Sequence, residues 1–448
     1  MTADLALRYD QRVPRYTSYP TAPHFSDDVG SAVYADWLGE LDPTVALSLY
    51  FHIPFCDSMC WFCGCYTKIV KKYKPISDYL DVLIKEIEAV AERLPARFPV
   101  RHLHWGGGSP TLLTGADWMR TIECIRTRFD VAADAEVAVE MDPRDTTEDY
   151  VRALAAAGVN RASIGVQDFE PVVQQAINRD QPFAVTRRVV DWLRRHGIGN
   201  LNMDLMYGLP HQTEERVVAM VDKALTLRPQ RVALFGYAHV PWMKAHQKMI
   251  DEATLPGTAE RWRQFNAASA RLVEGGYVAV GLDHFARPDD GLAGALQGGR
   301  LHRNFQGYTT DEASVLLGFG ASAIGSLPQG YVQNVSPLKD YARAVDGGTL
   351  ATVRGIALDA QDRLRADIIE RLMCDLMVDL DAVSLRHDAT TDFASELARL
   401  APLAADGIVA VDGSRIALTE AGRPFVRLVA AVFDSYLQSG QARHSKAV

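Results

Sequence analysis

Six short apolar runs, at residues 46–52, 101–105, 136–141, 160–166, 200–206 and 231–237, alternate with amphipathic stretches at 76–92, 116–129, 147–157, 186–196 and 213–226. Runs that short read as strands, and the helical periodicity between them reads as helix. A chain that repeats strand and helix in this way winds its strands parallel, because each helix carries it back along the sheet. The expectation is an α/β fold, a partial (β/α)6 barrel. Such barrels collect their active residues at the C-terminal ends of the strands. The chemistry-bearing residues fall there: Cys56 after the first strand, Gly106 after the second, Glu140 at the end of the third, Gln167 after the fourth and Asp204 near the end of the fifth.

The pattern changes on either side of this block. Beyond Gly281 it becomes loop-like, at 283–288 and 302–308, and from about residue 358 it turns helical, first over 360–377. Residues 408–418 alternate around an Asp-Gly pair and predict a hairpin, with a helix starting near Thr419. The expected organisation is an N-terminal segment over 1–45, the barrel and its extension over 46–357, and a small, mainly helical, winged-helix-like domain over 358–448.

The first strand runs into a loop that packs four of the six cysteines, Cys56, Cys60, Cys63 and Cys65, into ten residues. Cys56, Cys60 and Cys63 stand at the spacing C-x3-C-x2-C. Three thiolates so spaced can hold a [4Fe–4S] cluster and leave one iron open for chemistry. A structural zinc with Cys65 as fourth ligand is the alternative, although no second Cys/His pair follows downstream. The run Gly106-Gly107-Gly108-Ser109-Pro110-Thr111 closes the second strand. It reads either as a tight turn or as backbone brought close to a ligand such as the ammonium of an amino acid on the open iron.

Composition excludes several functions. A net charge of −9 argues against nucleic acid as the main partner, and so turns the winged-helix pattern towards a packing role. The first residues lack the basic and apolar regions of a signal peptide, and no apolar run reaches membrane-spanning length. Reduced thiols and an oxygen-sensitive cluster then imply the cytoplasm.

The Cys loop after an aromatic residue, followed by Gly-Gly-Gly-Ser-Pro-Thr, resembles the radical S-adenosylmethionine (SAM) enzymes. The resemblance is closest to the oxygen-independent coproporphyrinogen III oxidases, or dehydrogenases, of haem biosynthesis. It runs from Pro14-Arg-Tyr-Thr-Ser-Tyr-Pro20 through Val139-Glu-Met-Asp-Pro143, Gly165-Val-Gln-Asp-Phe169, Asn178-Arg-Asp and Asp204-Leu-Met-Tyr-Gly-Leu-Pro210. It continues through Tyr237-Ala-His, Gly281-Leu-Asp-His-Phe-Ala-Arg-Pro and His302-Arg-Asn-Phe-Gln-Gly-Tyr-Thr-Thr310.

The resemblance implies a radical SAM barrel and roles for single residues. Cys56, Cys60 and Cys63 would ligate the cluster. Tyr50, Gly107, Glu140 and Ile324 would contact the SAM on its open iron. Phe62, Gly108, Ser109, Gln167, Arg179, Asp204 and Ala238 would hold a second SAM, although Arg179 and Asp204 also read as a plain ion pair. A 5′-deoxyadenosyl radical would then abstract hydrogen from propionate β-carbons, and loss of carbon dioxide and an electron would leave vinyl groups. Four substrate carboxylates call for local cations, for which Arg15, with Tyr16 and Thr17, and then Arg287 and Arg303 are the candidates. A low-potential donor such as a flavodoxin or ferredoxin, and a monomeric state, complete the expectation.

Two positions depart from the family pattern: Ser109 for threonine, which keeps a hydroxyl, and Gly236 for an asparagine before Tyr237-Ala-His. A haem-trafficking relative of the family is the nearest rival reading. Such relatives lack the last cysteine of Cys-x-Cys and the Pro-Arg-Tyr-Thr segment, both present here as Cys65 and Arg15.

Overall fold

The structure, a computed structural model, describes residues 3–437. Residues 1–2 and 438–448, the outer ends of the 1–45 and 358–448 segments, lie outside the described residues. The six expected strands form as β1 Leu47–Ile53, β2 Pro99–Gly107, β3 Asp130–Met141, β4 Arg161–Gln167, β5 Asn200–Tyr207 and β6 Arg231–Gly236. The helices between them are α1 Lys74–Ala91, α2 Gly115–Arg128, α3 Glu148–Ala157, α4 Phe183–Arg195 and α5 Glu214–Thr226. Each strand pairs in parallel with the next.

Local chemistry sets where the helices begin and end. Thr114, Thr147 and Thr213 each accept a backbone N–H of the first turn of α2, α3 and α5. Acidic residues then follow in that turn, where the helix dipole favours them: Asp117 in α2, Glu148 and Asp149 in α3, Glu214 and Glu215 in α5. α3 stops at Gly158, whose φ of 94° suits glycine. Phe51, Trp105, Val139, Ile164, Met203 and Leu234, one from each strand, are fully buried in one continuous core.

The sheet extends beyond six strands. β7 Val278–Val280, β8 His284–Ala286, β9 Val315–Phe319, β10 Ile324–Leu327, β11 Gly330–Asn334 and β12 Thr352–Ala357 join it. Its order is β12-β11-β10-β9-β1-β2-β3-β4-β5-β6-β8-β7. β9 runs parallel to β1, and the other additions are antiparallel. The loop-like sequence after Gly281 therefore carries short strands, including the hairpin His302–Asn304 with Gly307–Thr309. Three residues are too few to display alternation, and the pairing edge comes from tertiary neighbours.

Helix α6, Thr258–Glu274, follows β6, and α7, Leu338–Asp346, follows β11. After β12 come α8 Ala360–Asp375, two further helices and the expected hairpin, Val409–Asp412 with Arg415–Leu418. The helix expected at Thr419 begins instead at Val426. Thr419 Oγ1 accepts the Gly422 N–H at 2.8 Å, and Pro424 lies in a 3-10 turn, so the chain must turn before it can coil. These helices share a second core with Tyr9, Val13, Tyr16 and Tyr19 of the N-terminal segment. The Tyr16 hydroxyl donates to Asp434 at 2.9 Å, and Arg427 Nε donates to the Pro14 carbonyl at 2.9 Å. Among the described residues, no helix is long and apolar enough to cross a membrane.

Candidate active site

The Cys loop leaves β1 and closes on itself. The short strand Phe55–Cys56 pairs in parallel with Lys68–Ile69, and the Val70 N–H donates to the Cys56 carbonyl at 2.9 Å. Two neighbouring segments hold the loop's main chain. Asn178 Nδ2 donates to Met59 O at 2.8 Å, His246 Nε2 lies 2.7 Å from Cys63 O, and Lys244 Nζ donates to Cys65 O at 3.2 Å. A single amide, Gln247 Nε2, serves the carbonyls of both Phe62 and Ala238, at 3.0 and 3.3 Å.

Each sulfur has its own surroundings. Cys56 Sγ accepts from Thr67 Oγ1 at 3.1 Å and faces Ser109 Oγ at 3.8 Å. Cys60 Sγ faces two guanidinium groups, Arg144 Nη2 at 3.4 Å and Arg179 Nη1 at 3.5 Å. Cys63 Sγ accepts the Cys65 N–H at 3.4 Å. Hydrogen bonding from Cys65, helped by His246 and Lys244, brings the Cys63 thiol down to about 6, while burial pushes Cys56 up to about 11. Three thiols on one loop, with guanidinium charge and hydroxyl donors aimed at them, fit an anionic iron–sulfur cluster.

The glycine turn is bolted to the Cys loop. Gly108 N–H donates to Ile53 O at 2.8 Å and Ser109 N–H to Phe55 O at 2.6 Å. A Cβ on Gly108 would lie 2.5 Å from Phe55 O, so only glycine permits this approach. Gly107, at φ 108°, gives its N–H to Glu140 Oε2 at 3.0 Å. The N–H groups of Gly107, Gly108 and Ser109 are thus spent within the protein.

Glu140 also lies 3.2 Å from His104 Nε2. Burial would raise its carboxyl, but the His104 and Gly107 contacts outweigh that and hold it below the ordinary carboxylate value. The Tyr50 ring stacks on His104, and its hydroxyl lies 3.0 Å from His52 Nδ1. Since His52 Nε2 faces the Tyr66 carbonyl at 3.0 Å, the ring's proton sits on Nε2 and Tyr50 donates to Nδ1. Tyr50 pairs in register with Gly318, where a Cβ would lie 2.5 Å from Ile324 O. Tyr50, Gly107, Glu140 and Ile324 therefore gather at one end of neighbouring strands.

Arg179 and Asp204 do not pair with each other. Arg179 donates to Asp142 Oδ2 at 3.0 Å and to Gly165 O at 2.6 Å. Asp142 is also bound by Arg144, Nη2 to Oδ2 at 2.7 Å. Asp204 instead accepts from Ser163 Oγ and Asn202 Nδ2, and burial, then the Glu140 charge, push its carboxyl up to about 7. Gln167 sits beside it, at a bulge with φ 68°.

Of the proposed substrate cations, Arg15 lies at a cavity beside the ends of β5 and β6, and its Nη2 donates to Gly236 O at 3.1 Å. Tyr16, Thr17 and Arg303 line a second cavity on the other side of the same segment. Arg287 is a correction. Its N–H bonds Gln230 O, at the opposite end of β6, and its half-buried side chain pairs with Asp289 at 3.0 Å. β8 runs antiparallel, so the residue following it is carried away from the site. Sequence reasoning missed His52, His104, Asp142, Arg144 and Arg261. Asp142 lies within a quoted motif and His52, His104 and Arg144 beside quoted ones, which was the available signal; Arg261 on α6 has none.

A family model described as the radical SAM superfamily matches residues 50–224, and one described as the HemN C-terminal domain matches 358–425. An oxygen-independent coproporphyrinogen III oxidase of Bradyrhizobium diazoefficiens is 51% identical, with 100% of both chains covered. That of Escherichia coli K12 is 42% identical, over 97% of this chain and 96% of its own. The solved coproporphyrinogen III oxidase (HemN) from Escherichia coli, described as a radical SAM enzyme, superposes at a TM-score of 0.90. It is 41% identical, covering 95% of this chain and 100% of that one.

Proposed function

The chain belongs to the oxygen-independent coproporphyrinogen III oxidases of the radical SAM superfamily, and we propose that it converts two propionate side chains of coproporphyrinogen III to the vinyl groups of protoporphyrinogen IX. One observation carries this reading: the three-cysteine loop is hydrogen-bonded to the glycine turn at the same end of the sheet as an arginine-lined cavity.

Cys56, Cys60 and Cys63 hold the [4Fe–4S] cluster. Tyr50, Gly107, Glu140 and Ile324 hold SAM, which their clustering at one end of neighbouring strands supports. A second SAM falls to Phe62, Gly108, Ser109, Gln167, Arg179, Asp204 and Ala238, supported by the Gln247 amide that ties Phe62 to Ala238. When bound, cluster and SAM would supply the radical chemistry by which a propionate loses a β-hydrogen and carbon dioxide. The protein's part is placement and the exclusion of water. Arg144 and Arg179 balance negative charge at Cys60, and His52 holds the Tyr50 hydroxyl in one orientation.

The N-terminal segment covers the substrate, with Arg15, Tyr16, Thr17 and Arg303 at its edge. The donor is an acidic, low-potential flavodoxin or ferredoxin. Lys68, Lys71 and Lys72, all exposed, support this because their segment is hydrogen-bonded to Cys56 itself. The protein acts as a monomer in the cytoplasm.

Anaerobic turnover with SAM, a reductant and coproporphyrinogen III tests the reading. Decarboxylated tetrapyrrole and 5′-deoxyadenosine are expected together; 5′-deoxyadenosine without decarboxylated product would refute the substrate.

A further inference from the structure

The cavity beside β5 and β6 has a volume of about 300 Å³, and its wall includes Arg12, Arg15, Arg261 and Arg427 with Asp283 as the one carboxylate. On a chain of net charge −9 this concentration of guanidinium is local. The contacts of three of these arginines are not ion pairs. Arg12 lies over the Trp242 ring at 5.0 Å, Arg15 Nη2 donates to Gly236 O, and Arg261 Nη1 donates to Tyr237 O at 2.9 Å. The Nε of Arg261 is buried and has no hydrogen-bond partner in the protein. Behind the wall, Arg303 lies over the Tyr308 ring at 4.4 Å, its Nε and Nη1 are buried without a hydrogen-bond partner, and its Nη2 lies 3.5 Å from Arg15 O. Buried, unmade donors on a charged group are costly, and a carboxylate is the acceptor that satisfies them two at a time.

The backbone is shaped to admit Arg261. A Cβ on Gly208, at φ 80°, would collide with Arg261 Nη1. A Cβ on Gly236 would lie 3.1 Å from Arg261 Nη2 and 2.8 Å from Tyr207 Oη. The glycine that departs from the expected asparagine thus leaves room for this guanidinium. Tyr207, Trp262 and Phe265 add flat apolar walls.

We propose that Arg261, with Arg15 and Arg12 beside it, binds propionate carboxylates of the tetrapyrrole. The assignment rests on the substrate named above. A carboxylate could also come from the amino-acid end of a second SAM, since Ala238 lines the same wall. The ammonium of that zwitterion would face several guanidinium groups, whereas a tetrapyrrole brings carboxylates alone, so the charge balance selects the tetrapyrrole.

The test is fluorescence titration of the cluster-loaded protein with coproporphyrin III, the stable oxidised form of the substrate, beside equilibrium dialysis with SAM. Arg261→Gln and Arg15→Gln should each weaken coproporphyrin binding about tenfold or more, with Arg261→Lys intermediate and SAM affinity unchanged. Thermal midpoints near wild type would certify folding, and the exposed Arg15 supplies a variant with little structural risk. Unchanged coproporphyrin affinity in both glutamine variants would overturn the proposal. So would a loss confined to SAM, which would assign the carboxylate to the cofactor. Wild-type protein that bound no coproporphyrin at all would refute the substrate reading itself, and this assignment with it.

Discussion

Arg179 and Asp142 form a buried ion pair, Nη1 to Oδ2 at 3.0 Å, with both side chains less than one-tenth exposed. Burial alone would raise the Asp142 carboxyl, but Arg179, then Arg144, bring it down to about 2. A depressed carboxylate pKa adds stability at neutral pH that is lost as pH falls from the ordinary value near 4 through about 2. Arg179→Ala should cost about 1.5–3 kcal/mol, the loss of charge-assisted hydrogen bonds, because Arg144 still pairs with Asp142. Asp142→Asn should remove the part of acid destabilisation that falls between those values. Urea midpoints measured across that range check both, and an unchanged acid profile in Asp142→Asn would refute the linkage.

Glu86 titrates in the opposite sense. It lies on α1, 3% exposed, and accepts from Gly320 N–H at 2.7 Å, Asn334 Nδ2 at 2.6 Å and the Tyr341 hydroxyl at 2.7 Å. Burial nonetheless raises its carboxyl to about 7. A raised carboxyl favours the fold below its unfolded value, and that contribution is lost as pH rises towards 7. The stability of Glu86→Gln relative to wild type should therefore improve by up to about 3 kcal/mol between pH 4 and pH 7, and then level off. A difference that stays flat with pH would contradict this.

These two acids show what was legible in the sequence. The six parallel strands were readable because each is a short apolar run set between helical stretches, and Cys56, Gly107 and Glu140 because strand ends gather in such a fold. Asp142 was not, since Asp-Pro after a strand reads as an ordinary turn and its partner Arg179 lies on another β-α unit. Glu86 was hidden within a helix whose other buried residues are apolar. Arg287 was misplaced because sequence does not reveal that β8 runs backwards. Arg261 was missed because an arginine on a helix usually faces solvent, and only the glycines opposite it disclose its direction.

Lys68, Lys71 and Lys72 bear on the electron donor. The strand that carries Lys68 lies about one strand spacing, roughly 5 Å, from the Cys56 main chain, so a carrier docked on these lysines sits over the segment that backs Cys56. Lys71→Glu with Lys72→Glu should raise the KM for an acidic flavodoxin about tenfold at low ionic strength. The gap should shrink above about 0.5 M salt, and turnover driven by dithionite should be unaffected. An equal loss with dithionite would place the lysines in the folding of the Cys loop rather than in docking.

Cys60 and Cys65 should behave differently on substitution. Cys60 Sγ faces two guanidinium groups, while Cys65 supports Cys63 through its main-chain N–H at 3.4 Å, which alanine keeps. Cys60→Ala should lower the iron content of anaerobically reconstituted protein from about four per chain to near none, and bleach the brown absorption. Cys65→Ala should retain both. Full iron content in Cys60→Ala, or its loss in Cys65→Ala, would overturn the assignment of Cys56, Cys60 and Cys63 as the ligand set. The second of these outcomes would return Cys65 to the role of a fourth ligand and close the iron that the chemistry needs open.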